Sequence, residues 1–266
     1  MLLKQARLDN VPESSRIKKF RGVDRSVDAL AVFGSIKDLT PLHEFRNLRQ
    51  LLMNRINYDQ LKQISSLEQL ERLSVYLSPS VTDLSPIAKM SNLQILSLES
   101  SFKDVSLEPL RLLTNLRVLS ISTLMSKAVN GGTGCFDSFD PLGDLCNLEY
   151  LELFAVKPRE LGLEPLTRLK SLKELEINNL YSLEDYAHLA VDLPNTKGLF
   201  QTPYYQTKLD AWKCKMCGGI DYYVLFGTKR RAFVCIRCEK DKLDKHLLLF
   251  EQFKQKFKMT SSDVAI

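Results

Sequence analysis

The chain has 266 residues, 44% of them hydrophobic and 26% charged, a composition typical of a globular protein with a substantial core. No run approaches the roughly 18 apolar residues of a membrane span, and the N-terminus turns polar too early for a signal peptide, so we predict a cytoplasmic protein with no membrane role. The net charge of +5 is unevenly spread, because residues 61–200 carry −5, whereas residues 1–60 and 201–266 carry +4 and +6.

Residues 1–26 contain no repeat and are predicted to form an N-terminal cap. A leucine motif then recurs along residues 27–200, and its clearest copy is NLQILSL at residues 92–98. Successive copies are separated by 21 to 24 residues, except for one interval of 32. A weaker copy begins at Val27, and the others begin at Leu48, Leu70, Leu93, Leu116, Leu148, Leu172 and, in degenerate form, Thr196.

This period and the form L-x-x-L-x-L resemble the leucine-rich repeat family, most closely its subclass of short repeats. The resemblance implies an α/β solenoid with a parallel β-sheet on its concave side. It also implies a surface that binds other proteins, and it implies no reaction. Fold alone does not fix function, so the binding prediction also needs support from the surface residues.

A proline follows most of the predicted strands, as in Asp83-Leu84-Ser85-Pro86. Proline suits the first position of a helix, because its missing N–H would have no partner there. We therefore predict that each proline begins a return helix, capped by the residue directly before it.

Side chains alternate between the two faces of a strand, so every second residue of each copy is expected to face the concave surface. Aromatic residues and carboxylates recur there, which favours an acidic groove for a basic protein partner. The alternative is an ordinary exposed sheet with mixed polar residues. The predicted partner-binding residues are Phe33, Arg72, Tyr76, Glu99, Tyr150, Glu152, Phe154, Glu174, Glu176 and Asn178.

The long interval of 32 residues places an insertion within residues 123–135. Insertions in solenoids map to loops on one face, often the binding face. We predict a flexible loop that contacts the partner.

Residues 201–266 change character, with two C-x-x-C pairs separated by 17 residues. This spacing predicts one structural Zn²⁺ held by four thiolates, which leaves no open position for a catalytic water. The pattern resembles the zinc-ribbon family over residues 212–240, with a β-hairpin between the pairs. The predicted ligands are Cys214, Cys217, Cys235 and Cys238.

The role of this module stays open between a cap for the solenoid, a protein-docking unit and a nucleic-acid contact. The last alternative would use basic residues, with Tyr222, Tyr223 or Phe233 stacking on bases. The basic residues are Lys229, Arg230, Arg231 and Arg237. After the ribbon, residues 241–259 have the apolar period of an amphipathic helix, which we expect to pack against its own domain.

The sequence has no nucleophile with a base beside it, so we predict that the protein is not an enzyme. The leading hypothesis is a protein-binding protein, and within that class an inhibitor, or immunity protein, of a basic toxin or enzyme. The alternatives are a nucleic-acid-binding adaptor that uses the basic ribbon, and a regulatory subunit that recruits substrates.

Overall fold

A computed structural model describes residues 15–33, 36–123, 132–160, 162–228 and 232–263. In these ranges the main feature is a parallel sheet of eight strands in the order β1-β2-β3-β4-β5-β6-β8-β10. A three-stranded antiparallel sheet, β11-β12-β13, follows at the C-terminal end. The strands are β1 Arg16–Ile17, β2 Ala29–Val32, β3 Gln50–Ile56, β4 Arg72–Leu77, β5 Ile95–Ser100, β6 Val118–Thr123, β7 Gly134–Ser138, β8 Tyr150–Phe154, β9 Val156–Glu160, β10 Glu174–Ile177, β11 Tyr204–Lys208, β12 Asp221–Leu225 and β13 Ala232–Cys235.

The leucine positions of the repeat build the core, as predicted. Leu93, Leu96 and Leu98 are fully buried in the main apolar cluster, together with the equivalent leucines of the neighbouring repeats. Ile95, on the other face of β5, belongs to a separate cluster on the concave side. The alternation of side chains along each strand therefore divides the sheet into a core face and a concave face.

The return segments are mostly short 3₁₀ helices rather than α-helices. Those that contain proline are Thr40–Glu44, Ser85–Lys89, Glu108–Leu112, Asp140–Asp144 and Glu164–Arg168, and a sixth is Leu199–Gln201. Within the described ranges the α-helices are α1 Tyr58–Ser65, α2 Leu183–Asp192 and α3 Lys240–Asp263. Helix α1 replaces a 3₁₀ helix after β3, where Asn57 and Gln60 form a reciprocal capping box.

The predicted caps of the 3₁₀ helices were wrong by two residues. Asp83 Oδ1 accepts a hydrogen bond from the amide of Ser85 at 2.7 Å, although we expected Ser85 to be the cap. Each helix begins at the residue before the proline, so the first amide without a helical partner belongs to that residue. The same bond is made in three other repeats by Asp38, Ser106 and Ser138.

The insertion in the long repeat is partly a strand. Strand β7 pairs in parallel with β9 to form a second, two-stranded sheet beside the main one. Residues 124–131, where most of the predicted loop falls, lie outside the described residues, so its contact with a partner stays a prediction.

The C-terminal module packs onto the last repeat beside the start of α2. The side-chain amide of Asn179 donates to the carbonyl of Leu225 at 2.9 Å, and its oxygen accepts from the amide of Gly227 at 3.0 Å. Helix α3 confirms the predicted amphipathic helix and buries Phe250 in the main core cluster. The apolar core thus continues from the solenoid into the module.

A chain of aromatic rings connects the two parts inside this core. Neighbouring ring centroids are 4.9 to 6.5 Å apart, a separation at which aromatic rings attract one another. The rings belong, in order, to Phe102, Phe136, Phe139, Tyr181, Tyr186 and Phe226.

Candidate functional site

The four predicted metal ligands come together in the C-terminal module. Cys214 and Cys217 lie in the turn between β11 and β12, whereas Cys235 ends β13 and Cys238 follows it. Their sulfur atoms all lie within 4.8 Å of one another. The antiparallel pairing of β12 with β13 brings the second pair of cysteines to the turn that carries the first.

The sulfur spacing suits a metal ion and not a disulfide. The sulfurs of Cys217 and Cys235 are 3.7 Å apart. A tetrahedral zinc ion with Zn–S bonds of about 2.3 Å separates its sulfurs by about 3.8 Å, whereas a disulfide needs about 2.05 Å. The cluster is therefore compatible with one zinc ion.

The backbone around Cys214 is shaped for a tight turn. The amide of Gly218 donates to the carbonyl of Cys214 at 2.8 Å, and the φ of Gly218 is +70°. A glycine adopts this left-handed conformation without steric cost. Backbone hydrogen bonds from Cys217 and Met216 lower the pKa of the Cys214 thiol to about 7, whereas the Cys217 side chain raises the pKa of Cys238 to about 12.

Of the four basic residues predicted to contact nucleic acid, the structure describes one. Arg237 is exposed, whereas Lys229, Arg230 and Arg231 lie outside the described residues. Tyr222 is buried, so the expectation that it is free to stack on a base was wrong.

Sequence reasoning missed Trp212 as a surface residue. It is 62% exposed and contacts Phe233 edge-on, with ring centroids 5.7 Å apart. The exposed Lys213 and Lys215 follow it directly. The signal was present in the sequence, as a tryptophan beside two lysines at the first cysteine pair.

The concave surface is organised in rows, because equivalent residues of successive parallel strands lie side by side. The first row runs through Gln50, Arg72, Ile95, Val118, Tyr150 and Glu174. The second row runs through Leu52, Ser74, Ser97, Ser120, Glu152 and Glu176. The third row runs through Tyr76, Glu99, Ser122 and Phe154.

Two predicted surface residues are buried. Tyr150 lies in the concave row but is 0% exposed, packed with Ile95 and Val118, so its assignment as an exposed anchor was wrong. Glu152 is 6% exposed, and its Oε2 accepts a hydrogen bond from Ser120 Oγ at 2.6 Å. The large Tyr150 side chain packs onto the smaller residues of neighbouring strands, which no single repeat reveals.

The Tyr150 hydroxyl lies close to the carboxylates. Burial, followed by the negative charges of Glu152, Glu176 and Glu174, raises the pKa of this hydroxyl well above its usual range. The hydroxyl is buried, and a hydrogen bond with the side chain of Glu176 raises its pKa in the same direction. The structure thus brings together four of the predicted residues at the C-terminal end of the sheet.

A cavity of about 550 Å³ lies at this end. Its walls include the three carboxylates, together with Phe154 and the 55% exposed Leu199. Leu199 was missed, because it follows the degenerate last copy, where the repeat no longer indicates which residues face the groove. Asn178 also lines the cavity, but its side-chain oxygen accepts a hydrogen bond from the amide of Ala155.

The remaining predicted residues lie towards the N-terminal half of the sheet. Arg72, Tyr76 and Glu99 are half-buried on the concave face, and Phe33 packs with Leu52 and Ala31 in a separate small cluster. The structure therefore does not bring them to the acidic cavity.

An arginine that we did not predict accompanies Tyr76. The guanidinium of Arg55 lies 5.9 Å from the centroid of the Tyr76 ring. Arg55 has a φ of +51°, within the register shift between Met53 and Ile56. The strict alternation used for prediction fails at such an irregularity.

Comparison with solved structures identifies the fold. The chain is similar to an internalin (inlF) from Listeria monocytogenes, with 23% identity, a TM-score of 0.51, and 65% of this chain and 47% of that chain covered. The repeat length, the parallel sheet and this similarity agree. This is the leucine-rich repeat fold.

Two further similarities are weaker. An internalin C2 (inlC2) from Listeria monocytogenes matches with 25% identity and a TM-score of 0.40, covering 55% of this chain and 60% of that one. A leucine-rich repeat protein from Leptospira interrogans matches with 19% identity and a TM-score of 0.39, covering 66% and 48%. The chain spans less than half of the inlF structure, and identity this low shows the fold alone.

No protein-family profile matches the sequence. No curated protein matches it either. Among the described residues of this leucine-rich repeat chain, no helix has the length and apolar character needed to cross a membrane.

Proposed function

We propose that this chain is a non-enzymatic protein-binding protein whose concave face engages a basic partner. The observation that carries the proposal is the grouping of Glu152, Glu174 and Glu176 around one cavity, with the apolar Phe154 and Leu199 beside them. An aromatic and apolar wall supplies contact area, and charge complementarity speeds and orients association.

In its narrower form, the proposal is a cytoplasmic inhibitor, or immunity protein, of a basic toxin or enzyme. Its support is the negative charge of −5 on residues 61–200, which sets the solenoid apart from the basic ends of the chain. A basic enzyme that acts on nucleic acid would present the matching charge. Inhibition then requires only that binding cover the active site of the partner.

We further propose that the four cysteines hold one structural Zn²⁺. The ion would supply the cross-link that fixes the turn at Cys214 and Cys217 to the end of β13. The docking of the module on the last repeat supports a capping role, because the end of a solenoid needs a covered apolar edge.

The test is purification of the tagged full chain from its own cells, with nuclease treatment and moderate salt, followed by mass spectrometry. The expected result is one stoichiometric basic protein that is lost with the double variant Glu174→Lys/Glu176→Lys. The matched control is Glu68→Lys/Glu160→Lys, which changes the net charge equally at exposed positions away from the cavity. Loss of the captured protein with both double variants, or with neither of them, would contradict the proposal.

A second candidate function is nucleic-acid binding by the module. The exposed Trp212 favours it, because a base stacks on an aromatic ring and the adjacent Lys213 and Lys215 attract phosphate. Under this hypothesis Trp212→Ala weakens binding of a single-stranded oligonucleotide by about tenfold or more, since base stacking contributes about 1–3 kcal/mol. Unchanged affinity in a polarisation assay would remove this candidate.

A further inference from the structure

The middle row of the concave face forms the floor of a groove. Ser74, Ser97 and Ser120 lie side by side on β4, β5 and β6, and their small side chains leave room above the sheet. A cavity of about 390 Å³ follows these serines, between Tyr76 on one side and Phe154 at the far end.

The groove leads into the acidic cavity. Glu152 and Phe154 line both spaces, so the two are contiguous. The middle row continues from Ser120 to Glu152 and then to Glu176. With strands about 4.8 Å apart, six strands span about 24 Å, which matches about seven residues of an extended chain.

The charge at the C-terminal end of the groove is negative. Glu152, Glu174 and Glu176 line the cavity, and Lys197 is the only basic residue among the described lining residues. One lysine against three carboxylates leaves an excess of two negative charges. A cationic group that enters this space therefore gains from electrostatic attraction.

Tyr150 packs beside the same carboxylates. It is fully buried, and its hydroxyl lies beside the side chain of Glu176. Tyr150 therefore supports Glu176 from below the surface and is not itself exposed to a ligand.

We propose that the cavity formed by Glu152, Glu174 and Glu176 takes the guanidinium group of an arginine, carried by an extended segment of the partner protein that lies along the serine-floored groove. This inference rests on the proposed function, because it assigns the site through which the basic partner is recognised. It commits to arginine rather than to basic charge in general.

Three features favour arginine over lysine. The guanidinium offers five N–H donors in a planar fork, so it can bond two carboxylates at the same time. Its flat face can stack on the Phe154 ring, which lines the cavity. It also loses less hydration free energy on entering a partly apolar site than the ammonium of lysine does.

The test begins with selection of a random decapeptide library, displayed on phage, against the purified full chain. The expected result is a set of peptides that share one arginine at a fixed position. A selected peptide is then synthesised with arginine, lysine or the neutral isostere citrulline at that position. Citrulline should weaken binding by about tenfold or more, since a hydrogen bond between charged groups is lost.

Two variants of the protein locate the effect. Glu176→Gln should weaken binding of the arginine peptide and should shrink the difference between the arginine and citrulline peptides. Glu160→Gln, an exposed carboxylate outside the groove, is the matched control and should leave that difference unchanged. Circular dichroism checks that each variant is folded.

Four results would overturn the inference: no selected peptide, peptides without a shared arginine, lysine binding as well as arginine, or a citrulline effect that persists in Glu176→Gln. A concentration-dependent dimer that Glu176→Gln abolishes, measured by light scattering, would assign the groove to a second copy instead. None of these results bears on whether the native partner is captured, so the proposed function can stand or fail separately.

Discussion

At the scale of single residues, the C-terminal cysteines show how spacing in sequence becomes geometry. The two sulfur atoms of each C-x-x-C pair lie close to each other. The pairing of β12 with β13 brings the two pairs together. Gly218 permits the first turn through its positive φ, and a Cβ there would meet no other atom within 4 Å. Conformation, rather than crowding, thus favours glycine at this position.

Cys214→Ser should abolish zinc binding and unfold the module. Structural zinc sites in small domains contribute about 10–16 kcal/mol of folding free energy, so loss of one ligand removes much of the stability of the turn. The check is the zinc-to-protein ratio by atomic emission, which should fall from one to near zero.

Cys146→Ser is the matched control, because Cys146 is an exposed free cysteine on the solenoid. It should keep one zinc per chain. A Cys214→Ser protein that retained zinc, or that stayed fully folded without it, would contradict the assignment of the ligands.

At the scale of elements, the turn between β12 and β13 meets the start of α2. Gly227 has a φ of +69°, and a Cβ there would lie 2.2 Å from the backbone nitrogen of Leu183. This approach lets Phe226 enter the core beside Tyr186, with ring centroids 5.3 Å apart. Sequence predicted a turn near Gly227, but not which element it contacts.

Gly227→Ala should destabilise the protein by about 2–4 kcal/mol, since the strain of a positive φ adds to a clash with backbone that cannot move aside. Gly22→Ala is the control, because Gly22 has a φ of +79° but no atom within 4 Å of the added Cβ. It should cost only about 1–2 kcal/mol. Urea unfolding measures both, and equal losses would show that the contact with α2 is unimportant.

The attachment of α3 should depend on pH through His246. Burial lowers the pKa of this imidazole below its usual value, and a ring nitrogen lies 3.2 Å from the carbonyl oxygen of Pro203. The folded state therefore binds the proton less well than the unfolded state does. The stability that depends on neutral His246 is fully present above the unfolded pKa of about 6.5 and is lost as pH falls below it.

The wild-type melting temperature should therefore fall more between pH 7.5 and pH 5.5 than that of His246→Gln. Gln keeps a hydrogen-bond donor for Pro203 but does not titrate. The difference between the two proteins isolates this residue from the other histidines and from the metal site. An identical pH response in both would rule out a contribution from His246.

At the scale of the whole molecule, the core runs without a break from the first repeat to α3. Ile17 and Phe250 belong to the same apolar cluster, and the aromatic chain crosses from the solenoid to the module. The predicted division at residue 200 stays a prediction about chain organisation. Because buried contacts cross that point, we expect the two parts to unfold together.

Urea unfolding should give one transition for both parts. The single tryptophan of the chain, Trp212, reports on the module, whereas far-ultraviolet circular dichroism is dominated by the solenoid and helices. The two midpoints should coincide. Phe226→Ala should cost about 3–5 kcal/mol and separate the midpoints, because it removes the ring that joins the two parts. Separate midpoints in the wild type would contradict a shared core.

The sequence determined the features that depend on local periodicity. The leucine spacing predicted the strands and the face of each strand that is buried. This was possible because the alternation of side chains is a local property of a strand and does not depend on distant residues. The two C-x-x-C pairs likewise indicated one metal cluster, because a four-sulfur site needs only short turns and a hairpin. The acidic residues of the last repeats were found in the same way.

Only the tertiary structure decided which of these residues are accessible. Tyr150 and Glu152 obey the same alternation as the half-buried Arg72 and Tyr76, yet packing between neighbouring strands buries them. Leu199 enters the cavity from a segment where the repeat has degenerated, and Phe226 joins the core from a distant hairpin. Such contacts depend on how successive repeats stack and on how the module docks. Both are determined by many weak packing interactions between residues that are distant in sequence, so no local pattern predicts them.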